Sequence, residues 1–168
     1  MNPDRIIRLI VNGTNHAGES ADSIYWRGAA AFAITDLAEA SGCRVEIELV
    51  FRVAGGYPMK THTLRIMLKR AQDPVTPDTL AFVLCNASSL RRICFGIQET
   101  LPTAIRRKFG FGRNGSLGGY GRPEELPVEE RENAIYVPGS LNAFRTAQST
   151  AAWVRDTLRE HEIEVVAE

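Results

Sequence analysis

The segment VNGTNHAGES, residues 11–20, has the residue types of a ligand-binding loop, being small and polar with two glycines and one histidine. Side chains of Asn12, Thr14 and His16 could coordinate a metal ion, and the amide groups of a following helix could bind an anion. The loop follows an apolar run (residues 6–11) that predicts a buried strand, and it precedes a predicted helix (24–40). Ligands of open α/β sheets gather beyond the carboxyl ends of the strands, so the sequence predicts a binding site here.

The chemistry of this loop favours an anion over a metal ion. A hard divalent cation prefers carboxylate oxygens, whereas Asn12 offers a neutral oxygen and His16 a nitrogen. Arg27, in the first turns of the following helix, would add its charge to the positive end of the helix dipole. Arg91, near the start of a later predicted helix, would join this face if the two helix N-termini meet. We therefore predict that this site binds an acidic group of a partner, without a metal or cofactor. The residues expected to bind it are Asn12, Thr14, His16, Arg27 and Arg91. The alternative of a plain surface turn stays open.

A second candidate segment is IRRKFGFGRNGSLGGYGRP, residues 105–123, which holds six of the 14 glycines. Cations track a phosphate backbone, aromatic rings stack on bases, and glycines let the chain follow a single strand. The same composition suits a loop that orders against a protein, or a surface loop without a ligand. The next ten residues, EELPVEEREN, carry five glutamates that can cancel the basic field. The candidate residues for nucleic-acid or partner contact are Arg106, Arg107, Lys108, Phe109, Phe111, Arg113 and Tyr120.

Hydrophobic periodicity predicts the elements that position these segments. The first helix has Trp26, Ala29 or Ala30, Ala33 and Leu37 at helical spacing. Residues 44–53 and 61–70 alternate between apolar and polar, which predicts an edge hairpin. Its outer face would pair Glu46 and Glu48 with Arg65 and Lys69. Further helices are predicted within 76–100 and after residue 140, and a short strand at 134–137. A long irregular Gly/Arg-rich loop is predicted at about 103–133, and residues 163–166 could form a last strand.

This order of elements predicts one α/β domain over residues 1–168. We expect three layers around an open, mostly parallel sheet with an antiparallel edge hairpin. The strand, polar loop and helix at the start, with the antiparallel edge strand, resemble the von Willebrand factor A-like, or Rossmannoid, fold. That family's loop has the form Asp-x-Ser-x-Ser and holds a divalent cation. The corresponding positions here are Asn12, Thr14 and His16, so the resemblance implies a degenerate metal site.

Composition narrows the class of protein further. Of 168 residues, 44% are hydrophobic and 24% charged, as in an ordinary soluble domain. Lysine plus arginine (20) equals aspartate plus glutamate (20), so no global field recruits nucleic acid or an acidic membrane. We find no apolar run near the roughly 20 residues that span a bilayer and no signal peptide, and we expect a cytoplasmic protein that does not enter membranes. The three cysteines lack CxxC spacing, which indicates packed thiols.

The segments WRGAAAFAITDLAEASGCRVEI and DTLAFVLCNASSLRRICFGIQE resemble an uncharacterised group of bacterial and phage-borne proteins. The resemblance implies a bacterial or phage origin, so the expected cytoplasmic location is that of a bacterium or of a phage-infected bacterial cell. No GxxxxGK[ST] or GxSxG motif is present, and the sequence favours a non-enzymatic protein.

The sequence therefore predicts a protein-interaction module, an adaptor or assembly factor, that recognises an acidic group of a protein partner at the strand ends. The alternative is a nucleic-acid-binding protein that uses residues 105–123. An enzyme with its site at the same strand ends would instead require a deep pocket with convergent titratable groups.

Overall fold

The structure is a computed structural model that describes residues 5–16, 18–55, 60–109, 120–140 and 142–163, with only the backbone of Leu90 and Arg91. The described strands form one sheet, in the order β3-β2-β1-β5, with β4 also paired to β2. β1 runs parallel to β2 and β5, whereas β3 and β4 run antiparallel to β2. This confirms the α/β class with a mostly parallel open sheet and an antiparallel edge hairpin. The strands are β1 (Ile6–Asn12), β2 (Arg44–Gly55), β3 (Lys60–Lys69), β4 (Arg122–Pro123) and β5 (Ala134–Val137).

The helices lie between and after these strands. A π-helical turn, Ser89–Cys94, leads into α3, and 3₁₀ turns occur at Val128–Glu130 and Asn142–Arg145. The expected loop at 103–133 is therefore wrong for residues 103–109, because the helix formers after Pro102 continue as a short helix. The expected strand at 163–166 lies outside the described residues beyond Ile163. The α-helices are α1 (Ala21–Ala40), α2 (Pro77–Cys85), α3 (Phe95–Thr100), α4 (Thr103–Phe109) and α5 (Ala147–Glu160).

The main core lies between one face of the sheet and the layer formed by α1, α2 and α5. Alternate residues of β1 and β2, such as Leu9 and Ile47, are fully buried against Ala31 and Ile34 of α1. On the opposite face, Leu126 packs against Ile10 and Val50. Residues 124–131, which follow β4, thus form a thinner third layer over part of the sheet, as a three-layer domain requires.

The hairpin of β2 and β3 has the polar outer face that the sequence predicts, with one exception. Glu48 accepts hydrogen bonds at 2.9 Å from Arg65 and also from Arg8. Lys69 was expected beside these residues and instead lies inside, 3% exposed, with its Nζ 2.6 Å from the Glu39 carboxylate of α1. The register between β2 and β3 shifts next to Ile47, and such a bulge turns the following side chains to the other face.

The close contact between α1 and α2 depends on Gly28. A Cβ at this position would lie 2.5 Å from the Cys85 Sγ and 2.6 Å from the Leu84 carbonyl oxygen. We expect Gly28→Ala to lower the free energy of unfolding by about 1–3 kcal/mol, because the two helices must separate. Urea denaturation followed by circular dichroism measures this loss. Gly96→Ala in α3 is the matched control, since its Cβ would meet nothing within 4 Å. Equal stabilities of the two variants would contradict the packing argument.

Candidate functional site

Asn12, at the carboxyl end of β1, is fully buried and makes hydrogen bonds on both sides of its amide. Its Oδ1 accepts from the backbone N–H of Thr14 at 3.0 Å and from the Thr14 hydroxyl at 2.6 Å. Its Nδ2 donates to the Glu124 carbonyl, to the Glu125 carboxylate and to the Tyr136 hydroxyl, at 3.0–3.1 Å. The predicted ligand-binding amide therefore joins β1 to β5 and to the third layer.

Glu125 and Tyr136 close the same network from the other side. The Tyr136 hydroxyl donates to the Glu125 carboxylate, and the Gly139 N–H donates to its second oxygen at 3.1 Å. Burial, followed by the hydrogen bond to Glu125, raises the pKa of Tyr136 to about 12. The phenol therefore stays protonated and serves as a donor at every physiological pH. Sequence reasoning missed both residues, because nothing local in 124–136 shows that they meet Asn12.

Arg27 lies at the centre of the strand ends and is 4% exposed. Its Nη1 donates to Asn15 Oδ1 at 2.5 Å, to the Gly139 carbonyl at 2.7 Å and to the Thr14 carbonyl at 3.4 Å. Desolvation lowers the pKa of Arg27 to about 10, partly offset by the charges of Glu19 and Glu125. The guanidinium is therefore still cationic at neutral pH. Three oxygens from the loops after β1 and β5 thus surround a cation that belongs to the chain itself.

This arrangement changes the interpretation of the predicted anion site. Asn12, Thr14 and Arg27 come together as predicted, but all three are buried and bonded to other parts of the chain. His16 lies exposed in the loop, and Arg91 lies in the π-helical turn, its side chain outside the described part. Of these five residues, His16 is the one whose described side chain reaches the surface. The geometry indicates a structural role for Arg27, which joins two strand-end loops.

A polar cleft of about 430 Å³ lies next to this network, at the start of α1. Its charged residues are Glu19, Asp22 and Arg145, and the Ser140 hydroxyl donates to Glu19 at 3.1 Å. Two carboxylates against one arginine make this cleft a poor receptor for an acidic group. No cluster of three histidine, cysteine or carboxylate residues suited to a metal ion occurs within the described residues.

In the segment predicted to contact nucleic acid, the three consecutive cations lie on α4, and the two described aromatic rings pack against other side chains. Arg106 donates to the Leu101 carbonyl at 3.0 Å, while Arg107 and Lys108 are exposed on α4. Phe109 packs edge-on against His62 with ring centroids 5.0 Å apart. Tyr120 stacks on Phe95 at 3.9 Å, and its hydroxyl donates to Glu99. These two rings are therefore occupied by protein contacts. Phe111 and Arg113 lie outside the described residues.

The cysteines have the packed environment that their sequence context predicts. Cys94 is buried and Cys85 packs against α1 at Gly28. Burial raises the pKa of the Cys94 thiol to about 12, and it also raises that of Cys85. A nucleophilic thiolate requires the opposite shift, so these thiols behave as small apolar groups.

An apolar groove of about 930 Å³ lies elsewhere, between α1 and α5. We call it the α1–α5 groove. Small side chains line both walls, and Trp26 lies on the α1 wall. The charged lining residues are Arg155, Arg159 and Glu162. The apolar lining includes Trp26, Ala29, Ala33 and Leu37 from α1, and Ala147, Ala151, Val154 and Leu158 from α5, with Ile163 after it.

Sequence reasoning treated the α1 wall of this groove as evidence for the helix and did not recognise it as a surface. Trp26, Ala33 and Leu37 are only partly buried, whereas Ala31, Ile34 and Ala38 have no exposure. α1 therefore carries two apolar stripes, one against the sheet and one along the groove. The apolar positions of α1 cover more of its circumference than a single contact with the sheet requires. This excess is the sequence signal that could have indicated the groove.

These features define an α/β domain with an open sheet whose strand ends are closed by a buried arginine, and with an apolar groove in its helical layer. A family model described as Domain of unknown function (DUF7192) matches residues 1–165, and the chain belongs to this family. No curated protein and no solved structure matches the chain. Within the described residues, none of the helices has the length and apolar character to cross a membrane.

Proposed function

We propose that this chain is a non-enzymatic protein-interaction module that binds a protein partner in the α1–α5 groove. One observation carries the proposal. The half-buried apolar stripe of α1 and an alanine-lined face of α5 form the two walls of a groove with a volume of about 930 Å³. A concave apolar surface of this size on a soluble domain is typical of a binding site. An adaptor or assembly role requires such a surface and no reactive group.

We further propose that the fold is von Willebrand factor A-like with a degenerate metal site. The order β3-β2-β1-β5 and the antiparallel edge strand support this relation. So does Arg27, because its Nη1 is surrounded by loop oxygens at the strand ends where that family's loop holds a cation. The bacterial or phage origin and the cytoplasmic location stay predictions.

Two earlier hypotheses receive less support from the geometry. Recognition of an acidic group by Arg27 would require a residue that is 4% exposed to leave three oxygen acceptors. Nucleic-acid binding by residues 105–123 would require Phe109 and Tyr120 to leave their packed partners. Both stay predictions, and the groove is the better candidate.

Site-specific crosslinking tests the proposed function. A photoreactive phenylalanine derivative is placed at Ala151, which lines the groove, or at Gln148, an exposed residue of α5 outside it. In cells of the source organism, we expect one protein adduct, identified by mass spectrometry, from position 151 and at least ten times less from position 148. Ala33→Glu on the opposite wall should remove the adduct, since it places a charge in the apolar lining.

The same experiment tests independence from metal ions. We expect an unchanged adduct yield in lysates treated with EDTA, because the cation at the strand ends is Arg27. Equal yields from positions 151 and 148, or no adduct from position 151, would overturn the proposed function. Loss of the position-151 adduct on chelation would overturn its metal-independent form.

A further inference from the structure

We infer that the partner of the α1–α5 groove is an amphipathic helix with acidic residues along one flank. This inference rests on the proposed function and specifies the chemistry of its partner. It depends on the shape of the groove, on the type of wall that lines it, and on the charges at its rim.

The dimensions of the groove suit a helix of three to four turns. On α1 the groove extends from Trp26 to Leu37, about 16 Å at a rise of 1.5 Å per residue. Five alanines form much of the two walls, at positions 29, 30, 33, 147 and 151. Small side chains let a third helix approach to the usual interaxial distance of about 8–10 Å. Large apolar side chains of the partner would then fill the space above these alanines.

The walls favour a helical partner over an extended one. Both walls are helices, and their backbone amide and carbonyl groups are bonded within each helix. An extended peptide would therefore bury its own N–H and C=O groups against apolar side chains without partners, which is costly. A helix satisfies these groups internally and presents only side chains. The groove thus selects a helix on physical grounds.

The charges at the rim favour acidic residues on the flank that faces α5. Arg155 and Arg159 are one helical turn apart, both are exposed, and both line the groove. Glu162 is the single acidic residue among the described lining residues. Arg159 lies 3.4 Å from Asp156, but both side chains are more than 70% exposed, so this pair is weak and readily exchanged. Glutamates spaced four residues apart on the partner would face the two arginines.

The chain's own residues 164–168 directly follow Ile163, which lines the groove, so the test must distinguish them from a separate partner. A variant that ends at Ile163 therefore belongs in the test. If this segment filled the groove, peptide binding would appear only in the shortened variant.

Tryptophan fluorescence tests the inference directly. The chain has two tryptophans, and Trp153→Phe leaves Trp26, in the groove lining, as the single reporter. This variant is titrated with three stapled 14-residue helical peptides: one with a leucine face and a glutamate flank, one with a lysine flank, and one with serines replacing the leucines. We expect the glutamate-flanked peptide to shift the Trp26 emission and to bind at least ten times more tightly than the other two.

Charge reversal supplies the matched control. In the variant with Arg155→Glu and Arg159→Glu, we expect the preference to change to the lysine-flanked peptide. The full chain and the chain ending at Ile163 should bind equally. Equal affinities for both flanks, no emission shift, or binding only after shortening would each overturn the inference. If the groove crosslink at Ala151 persists in that case, the proposed function stands and only the acidic-helix partner is wrong.

Discussion

Asn12→Asp is expected to lower the free energy of unfolding by about 3–5 kcal/mol at pH 7.5, because it creates an unpaired buried charge. The substitution removes the Nδ2 donor from three acceptors, one of which is the Glu125 carboxylate at 3.1 Å. Two carboxylates at that distance cannot both ionise readily, so the pKa of the introduced carboxyl rises well above its ordinary value. Urea denaturation at pH 7.5, with a constant m-value, measures the loss.

The same variant should recover part of its stability on acidification. The folded variant binds a proton between pH 7.5 and 5.5 that its unfolded chain does not bind. The unfolding free energy of the variant therefore rises as the pH falls, relative to that of the parent chain. Asn86→Asp is the matched control, because Asn86 is exposed and its Oδ1 accepts two hydrogen bonds from Ser88. An aspartate can accept the same two bonds. A loss at position 12 as small as that at position 86 would show that the network of Asn12 does not stabilise the fold.

Arg27→Met is expected to lower the free energy of unfolding by about 2–4 kcal/mol. Methionine keeps most of the side-chain volume but leaves the Gly139 and Thr14 carbonyls and Asn15 Oδ1 without their charged donor. Buried acceptors that lose their partner cost about 1–3 kcal/mol each, and water that enters the space recovers part of this. Chemical denaturation of both proteins at neutral pH gives the difference.

Arg155→Met is the control for this substitution, since Arg155 is an exposed arginine on a helix. Its stability should stay within about 0.5 kcal/mol of the parent chain. Arg27→Lys keeps the charge, but its side chain is one bond shorter and its ammonium cannot occupy the position of Nη1, so we expect an intermediate loss. If Arg27→Met cost less than about 1 kcal/mol while binding of a partner were lost, Arg27 would be a recognition residue, as the sequence first indicated.

The sequence predicted the sheet well, because strands β1, β2 and β3 and the end of α1 follow from local patterns, whereas α1 begins three residues before the predicted start. Alternation places Val45 and Ile47 on one face and Glu48 on the other, whatever packs against them. Lys69 departs from this pattern, since a one-residue shift in pairing reverses the face of the residues beyond it. Such a shift depends on how the two strands pair, so it cannot be recognised from the sequence of either strand alone.

The candidate site was likewise predicted only in part from the sequence. The sequence brought attention to Asn12, Thr14 and Arg27, and the structure places them together. The sequence could not show that Glu125 and Tyr136, more than a hundred residues after Asn12, would complete the hydrogen bonds of Asn12. A polar loop after a strand looks the same in sequence whether its side chains point to solvent or into a network.

The amino-acid sequence by itself determined the class of fold, the polar character of the strand-end loop and the apolar character of α1. Periodicity and residue chemistry are local properties, and they are set before the chain folds. Only the tertiary structure decided that Arg27 is enclosed and that one apolar stripe of α1 stays half-exposed along the α1–α5 groove. Burial depends on which distant elements cover a side chain, and the packing of β5, α5 and residues 124–131 determines this.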